Sequence, residues 1–174
     1  AGKHILIEKP MCISMDEDRA LRDAVTAANV KSVVRFVLRW NPLIENLTSL
    51  LAAGAIGDLF YVEVDYRPGL AAWWSGFDWG HTLQSGRSTM LTGGCHAVDC
   101  IRWLSDDRIV EVAAFGNNQK QVFEYPANVV AVLKFAGGAI GKTSALFDAE
   151  MPYQFNIDLA GTEGTIRDNI AYGR

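Results

Sequence analysis

The chain has 174 residues, 49% of them apolar and 21% charged, with a net charge of −4. A domain of this size can bury a real core. The weak negative charge, with scattered Lys and Arg, gives no electrostatic footprint for nucleic acid or an anionic membrane surface, and no apolar run reaches the roughly 20 residues of a membrane helix.

Taken in chain order, Ala1-Gly2-Lys3-His4 is neither an initiation sequence nor a secretory leader. His4–Ile7 reads as a buried strand almost at once, so chain is expected upstream. Ser14 and Glu17 form the spacing of a capping box, predicting a helix to about Asn29 with Leu21, Val25 and Ala28 on one face. Ser32–Val37 is β-branched and predicts a strand. Asn41-Pro42 predicts a helix start, Asn as cap and Pro in the first turn; Leu43, Leu47, Leu50 and Leu51 supply its stripe and Gly54 its end. Leu59–Arg67 alternates, with Phe60, Val62, Val64 and Tyr66 towards a core and Glu63, Asp65 and Arg67 away from it. A Trp- and Gly-rich loop from about Pro68 to Arg87 is long enough to carry function. Ser88–Leu104 predicts a single helix, buried through Leu91, Cys95, Val98, Ile101 and Leu104. Strands follow near Ile109–Phe115, Val129–Phe135, Ala139–Phe147, Gln154–Ala160 and Thr165–Arg167. The fold expected is α/β then α+β, a βαβα opening joined to an open, mostly antiparallel sheet with helices on one face.

Four segments could carry chemistry. Glu8-Lys9-Pro10 follows a strand, where a parallel sheet places ligands; Lys9 could meet a substrate hydroxyl and Pro10 could fix a turn. On a continuous helix, Thr92 and His96 would share a face with Asp99 beside them, and an imidazole titrates near neutrality. Trp73, Trp74, Trp79 and His81 crowd into nine residues, offering aromatic faces to a sugar or nicotinamide ring, or equally pinning the loop to the core. Gly137-Gly138-Ala139-Ile140-Gly141-Lys142-Thr143 imitates a phosphate-binding loop, but alternation after Thr143 reads as a strand rather than the helix such a loop needs, so a hairpin is expected. Cys95 and His96 are adjacent and point to different faces, which argues against a metal site with His81 and Asp99. Three cysteines, Cys12, Cys95 and Cys100, without a Cys-x-x-Cys pair, fit buried thiols in a reducing, cytoplasmic compartment.

Together these segments resemble the Gfo/Idh/MocA oxidoreductases, the family of glucose–fructose oxidoreductases and inositol dehydrogenases. The resemblance rests on Glu8-Lys9-Pro10 after its strand, Arg39-Trp40-Asn41-Pro42, Gly54-Ala55-Ile56-Gly57-Asp58-Leu59, Gly93-Gly94-Cys95-His96-Ala97-Val98-Asp99 and Gly161-Thr162-Glu163-Gly164-Thr165, in that order along nearly the whole chain. It implies the tail of a Rossmann-type dinucleotide-binding domain in residues 1–40 and a substrate-binding and oligomerisation domain in residues 41–174. It implies NAD or NADP as cofactor, with Glu8, Lys9 and Pro10 beside the nicotinamide and Lys9, His96 and Thr92 as the catalytic group. Arg39, Trp73, Trp74, Trp79, His81 and Asp99 would line the pocket of a sugar or polyol. It further implies a homo-oligomer formed through the sheet.

Two departures from the family pattern stand out. Thr92 occupies the place of the aspartate in the family's Asp-x-x-x-His, and threonine can orient an imidazole but brings no charge. No Gly-x-Gly-x-x-Gly follows a strand and no acidic residue stands where a ribose needs one. The function expected is therefore a share in hydride transfer between a sugar or polyol hydroxyl and the nicotinamide, with the fragment itself inactive. The alternative is a non-catalytic binding or assembly module that dimerises through its sheet.

Overall fold

The computed structural model describes residues 2–173. It opens with β1 (Ile5–Ile7), α1 (Met15–Ala28) and β2 (Ser32–Val34), and the two strands pair in parallel as a two-stranded sheet. α1 begins where its cap was expected. Ser14 Oγ accepts from Glu17 N at 3.2 Å, while the Glu17 carboxylate reaches Ile13 N, one residue before the cap itself. Asn29, in the left-handed region at φ 48°, ends it. The strand expected over Ser32–Val37 is shorter: Arg35 N donates the last rung to Ile7 O, and Val37–Trp40 then coils into a 3₁₀ turn. The Lys9–Pro10 peptide bond is cis.

α2 (Pro42–Ala52) starts on the Asn41 cap, whose side chain accepts from Leu43 N, with Pro42 in the first turn. A second, seven-stranded sheet then forms from β3 (Leu59–Arg67), β4 (Ile109–Asn117), β5 (Asn128–Phe135), β6 (Ile140–Leu146), β7 (Gln154–Gly161), β8 (Gly164–Arg167) and β9 (Ile170–Gly173). Its order is β4-β5-β6-β3-β7-β8-β9. β3 is central, parallel to β6 and antiparallel to β7, so the sheet is mixed with one parallel pair. The β9 strand had no sequence signal strong enough to read. The β5–β6 connection over Gly137 and Gly138 is a hairpin: Gly138 sits at φ 96° and its N–H donates to Phe135 O.

Between β3 and β4 run α3 (Phe77–Gly80), α4 (Thr89–Thr92) and α5 (Cys95–Ser105). α2 and α5 lie on one face of the sheet, where Ile44, Leu47, Ala97, Ile101 and Leu104 meet Val62, Val64, Leu133, Phe135, Ile157 and Leu159 in the main core. A second cluster of Leu70, Phe123, Tyr125, Ala127, Ala145 and Phe147 lies under the long loop, and Tyr66 packs against both clusters. Val62 and Val64 face inwards as the alternation predicts. Phe60 does not, because the β3–β7 register shifts between Leu59 and Tyr61. Asp65 also departs from expectation. It points to the outer face yet is only 1% exposed, because Ser144 Oγ at 2.6 Å, Lys142 Nζ at 2.9 Å and Arg67 Nη2 at 2.6 Å surround its carboxylate.

The single helix expected over Ser88–Leu104 is two helices, broken at Gly93-Gly94. A Cβ on Gly93 would lie 2.7 Å from Tyr66 Cε1, and one on Gly94 would lie 2.9 Å from the Ala145 Cβ and 2.8 Å from Met90 Sδ. The backbone approaches the sheet too closely for any side chain, and the chain turns there. The break also shifts the buried stripe. Ala97, Cys100, Ile101 and Leu104 face the core, while Leu91, Cys95 and Val98, expected inside, are only partly buried. Gly93→Ala should therefore force Tyr66 or Phe147 aside and lower the stability of the chain by about 1–3 kcal/mol in urea unfolding. An unchanged midpoint would mean that this contact relaxes freely.

Candidate functional site

The break at Gly93-Gly94 and the docking of the N-terminal βαβ unit build one site between them. Lys9, at the end of β1, reaches across 83 positions of sequence to donate from Nζ to Thr92 O at 2.8 Å. That carbonyl ends α4, and a cation is favoured at a helix C-terminus. A second tie lies further along α5. Arg39 donates from Nε and Nη2 to the two oxygens of Asp99 at 2.8 and 2.6 Å, and its guanidinium lies 5.1 Å from the centre of the Trp103 ring. A bidentate guanidinium–carboxylate pair fixes orientation as well as distance. Glu8, beside Lys9, is taken by Arg35 at 2.5 Å, which holds its carboxyl below the ordinary value.

His96 sits between these ties, in the first turn of α5. It is 8% exposed, not on a polar face as its position in a continuous helix predicted. Phe36 meets its ring edge-on at 6.1 Å, and Tyr66 lies against it at 5.9 Å with a 43° tilt. Its Nδ1 is buried without a hydrogen-bond partner. Nε2 makes no hydrogen bond among the described residues either, but it is not among the sealed atoms, so it keeps access to solvent. Beside it, a mostly apolar cavity of about 340 Å³ is lined by Phe36, Met90, Leu91, Cys95, Val98, Asp99 and Arg102. A larger cavity, of about 480 Å³, lies at the far end of α5 against Leu51, Gly57 and Trp103. It contains none of the residues whose chemistry drew attention in the sequence.

The other expected site residues fall into two groups. Arg39 and Asp99 are close to His96 but bonded to each other, so they act as a strut rather than as free ligand contacts. Thr92 does not stand beside the imidazole as a hydrogen-bond partner. Its hydroxyl is turned to Gly86 O at 3.0 Å and Tyr125 Oη at 3.1 Å, because the helix on which the two residues were to share a face is interrupted. What Thr92 brings to the site is its carbonyl. The loop aromatics pack among themselves: Trp74 meets Trp79 at 5.5 Å and covers Gly76 and Gly80, while Trp73 is 70% exposed. His81 stacks on Phe77 at 4.5 Å, and its Nδ1 hydrogen-bonds Phe77 O at 2.6 Å. The aromatic rings against His96 are instead Phe36 and Tyr66. Neither stood out in the sequence, and the only available signal was the aromatic end of the inward-facing β3 row. No three His, Cys, Asp or Glu side chains converge as a metal site among the described residues, and no described helix is long and apolar enough to cross a membrane.

The site belongs to a protein with a parallel βαβ unit joined to a helix-backed mixed sheet, with a lysine of the first held over a buried histidine of the second. Residues 44–167 match the model of the GFO/IDH/MocA C-terminal domain, and the chain belongs to this family. Among curated proteins it is 25% identical to scyllo-inositol 2-dehydrogenase (NAD(+)) of Bacillus subtilis, over 95% of this chain and 48% of that protein. It is 26% identical to glucose-6-phosphate 3-dehydrogenase of the same organism, over 62% of this chain and 31% of that one. A solved levoglucosan dehydrogenase, in complex with NADH and levoglucosan, superposes with a TM-score of 0.85 at 26% identity, over 95% of this chain and 47% of that one. The chain thus spans at most about half the length of these relatives.

Burial, and then the nearby Lys9 charge, push the His96 imidazole down to about 4, while Asp99 and Glu8 pull the other way. The ring is therefore neutral at pH 7. Unfolded, it titrates near its ordinary value of 6.5. Between those two values the unfolded chain binds more protons, so stability is full above pH 6.5 and is lost as the pH falls towards 4. Between pH 7 and 4.5 the native chain should lose about 2–3 kcal/mol more than the His96→Gln variant in urea unfolding. Parallel pH profiles for the two would show that His96 is not held neutral by its surroundings.

Proposed function

We propose that the chain is the substrate-side portion of an NAD- or NADP-dependent dehydrogenase that oxidises a hydroxyl of a sugar or polyol. The observation that carries this reading is the pairing of Lys9 with His96: an ammonium tied to Thr92 O by one of its three N–H donors, next to a neutral imidazole whose Nε2 remains open. The names of the relatives, a scyllo-inositol 2-dehydrogenase (NAD(+)) and a levoglucosan dehydrogenase, support the same class. Residues 1–40 are assigned to the end of a dinucleotide-binding domain and residues 41–174 to a substrate and assembly domain.

The donor set fits the nicotinamide end of such a cofactor. Lys9 and Pro10 follow a parallel strand, where that fold receives its ligand, and the unpartnered imidazole lies within electrostatic range of Lys9. It does not fit the pyrophosphate, since no Gly-x-Gly-x-x-Gly turn leads from a strand into a helix here. The isolated chain is accordingly assigned no dehydrogenase activity of its own. A nicotinamide bound there, beside Lys9 and Pro10, would supply the hydride acceptor. Within this chain, Lys9 holds the substrate hydroxyl and offsets the charge that grows on its oxygen, and His96 takes the proton on Nε2. Asp99, already engaged with Arg39, contributes its field to His96 without touching the substrate. In the full-length enzyme, Lys9→Ala and His96→Ala should each lower turnover by about 10²–10⁴-fold. Wild-type turnover in both variants, on a substrate the parent oxidises, would remove these residues from the mechanism.

The sheet supplies the second part of the proposal. Its outer face exposes Phe115, Val130, Val132, Ile140, Ile170 and Tyr172, with Phe115 86% exposed, around a Lys142–Asp65–Glu63 charge cluster of which only Asp65 is fully buried. An apolar face of this extent fits an interface between two copies, and a two-fold pairing that buries more than about 1,000 Å² is the expected form. Light scattering at micromolar concentration should give a dimer or higher multiple, and Val132→Asp should shift it towards monomer. A monomeric mass for the unsubstituted chain would remove this face as the interface.

A further inference from the structure

Thr92 is bonded at both of its oxygens, and the two bonds run to different parts of the chain. Its carbonyl receives Lys9 Nζ at 2.8 Å. Its hydroxyl, on a residue only 1% exposed, donates to Gly86 O at 3.0 Å and meets Tyr125 Oη at 3.1 Å. Tyr125 Oη donates in turn to Gly80 O. Burial raises the Tyr125 phenol above its ordinary value, so it stays protonated and keeps its donor. Gly80 and Gly86 belong to the long loop, and Tyr125 to the stretch before β5. One buried hydroxyl thus joins the loop and that stretch to the residue whose carbonyl holds the lysine.

The end of α4 depends on such a tie. The helix has four residues, too few to hold its own shape in water. Gly93 and Gly94 follow it and bring no side chain to anchor its last carbonyl. Three side-chain bonds fix it instead. Ser88 Oγ accepts from Leu91 N at 3.2 Å and Thr89 Oγ1 donates to Pro126 O at 2.6 Å, which hold its start. Thr92 Oγ1 holds its end. The residue type follows from the same group. Two hydroxyl protons serve three contacts, so a donor is needed at position 92. An aspartate, as in the family's Asp-x-x-x-His, is ionised at neutral pH and donates nothing; it would set a buried carboxylate against the Gly86 carbonyl.

We propose that Thr92 is a positioning residue for Lys9: its hydroxyl, held by Gly86 O and Tyr125 Oη, fixes the end of α4 so that the Thr92 carbonyl stands where the ammonium is received. The long loop is tied to the reacting lysine through the same residue. The inference rests on the dehydrogenase reading above, in which Lys9 holds the substrate hydroxyl, and adds a residue that acts through Lys9. A reacting group displaced by about 1 Å can lose about 10²-fold in rate, which gives the tie its leverage.

The test is a double-mutant cycle in the full-length enzyme, assayed with NAD and NADP on scyllo-inositol, levoglucosan, glucose and glucose 6-phosphate, with the best of these used throughout. Thr92→Val, which keeps the shape and removes the donor, should lower kcat about 10- to 100-fold with KM within about threefold. Thr92→Ser, which keeps the donor, should stay within about threefold of the unsubstituted enzyme in kcat. In the Lys9→Ala background, where there is no ammonium to position, Thr92→Val should cost less than about threefold further. Thr92→Asp should lose at least as much turnover as Thr92→Val. Urea unfolding of each variant checks that it folds. If Thr92→Val does not, Tyr125→Phe carries the cycle, with an expected loss of about 3- to 10-fold in kcat and again none further in Lys9→Ala. An equal loss in both backgrounds, Thr92→Ser as poor as Thr92→Val, or turnover raised by Thr92→Asp overturns the positioning role while Lys9→Ala and His96→Ala still cripple the enzyme. Turnover that survives both Lys9→Ala and His96→Ala, or no turnover of any compound, overturns the dehydrogenase reading and the positioning role with it.

Discussion

The close approach of the chain to the sheet at Gly93-Gly94 is the constraint on which the rest of the site depends. With side chains at these two positions, α4 and α5 would have to stand off from Tyr66, Phe147 and Ala145. Because they do not, the helical path breaks after Thr92. One carbonyl is left at the end of α4 for Lys9, and α5 restarts with His96 in its first turn, against the end of β3. A single steric requirement thus sets the position of the imidazole, the ring beside it and the acceptor that holds the lysine.

The electrostatics follow from the same geometry. His96 is pressed into an apolar corner between Phe36 and Tyr66 with Lys9 nearby, and both burial and charge keep it neutral. A neutral imidazole is the form a proton acceptor needs, and the fields of Asp99 and Glu8 limit how far its basicity falls. Asp99 can supply that field because Arg39 holds it in place. Glu8 is similarly tied to Arg35. The two tethers, Lys9–Thr92 and Arg39–Asp99, also join the N-terminal segment to α4 and α5, so the groups that set the histidine's charge are among the groups that hold the two parts of the chain together.

The outer face of the sheet obeys a different rule. In its centre Asp65, Glu63, Lys142, Ser144 and Arg67 bond one another while largely removed from water, with Arg67 Nε left without a partner. Removing one partner of such a cluster strands the others, so it favours one register of β3 against β6 more than it adds stability. Around that centre the face is apolar and bare. The proposed site and the proposed interface therefore lie on opposite sides of β3, with the histidine-bearing helices on one side and the exposed aliphatic face on the other.

Much of this was legible in the residues. The Ser14 and Asn41 caps, the alternation of β3, the hairpin at Gly137-Gly138 and the candidacy of Lys9 and His96 all arise from local rules of capping, period and turn chemistry, which act over a few positions and leave their mark in sequence. What sequence could not settle is what depends on contacts between distant positions. Whether Gly93-Gly94 continues a helix or breaks it was decided by Tyr66 and Ala145, 27 and about 50 positions away. That break turned the Thr92 hydroxyl towards Tyr125, bonded Asp99 to Arg39, and put Tyr66 rather than a loop tryptophan against His96. Helical periodicity carries no term for how near a backbone must come to a sheet packed beneath it, and only the assembled tertiary structure supplies one.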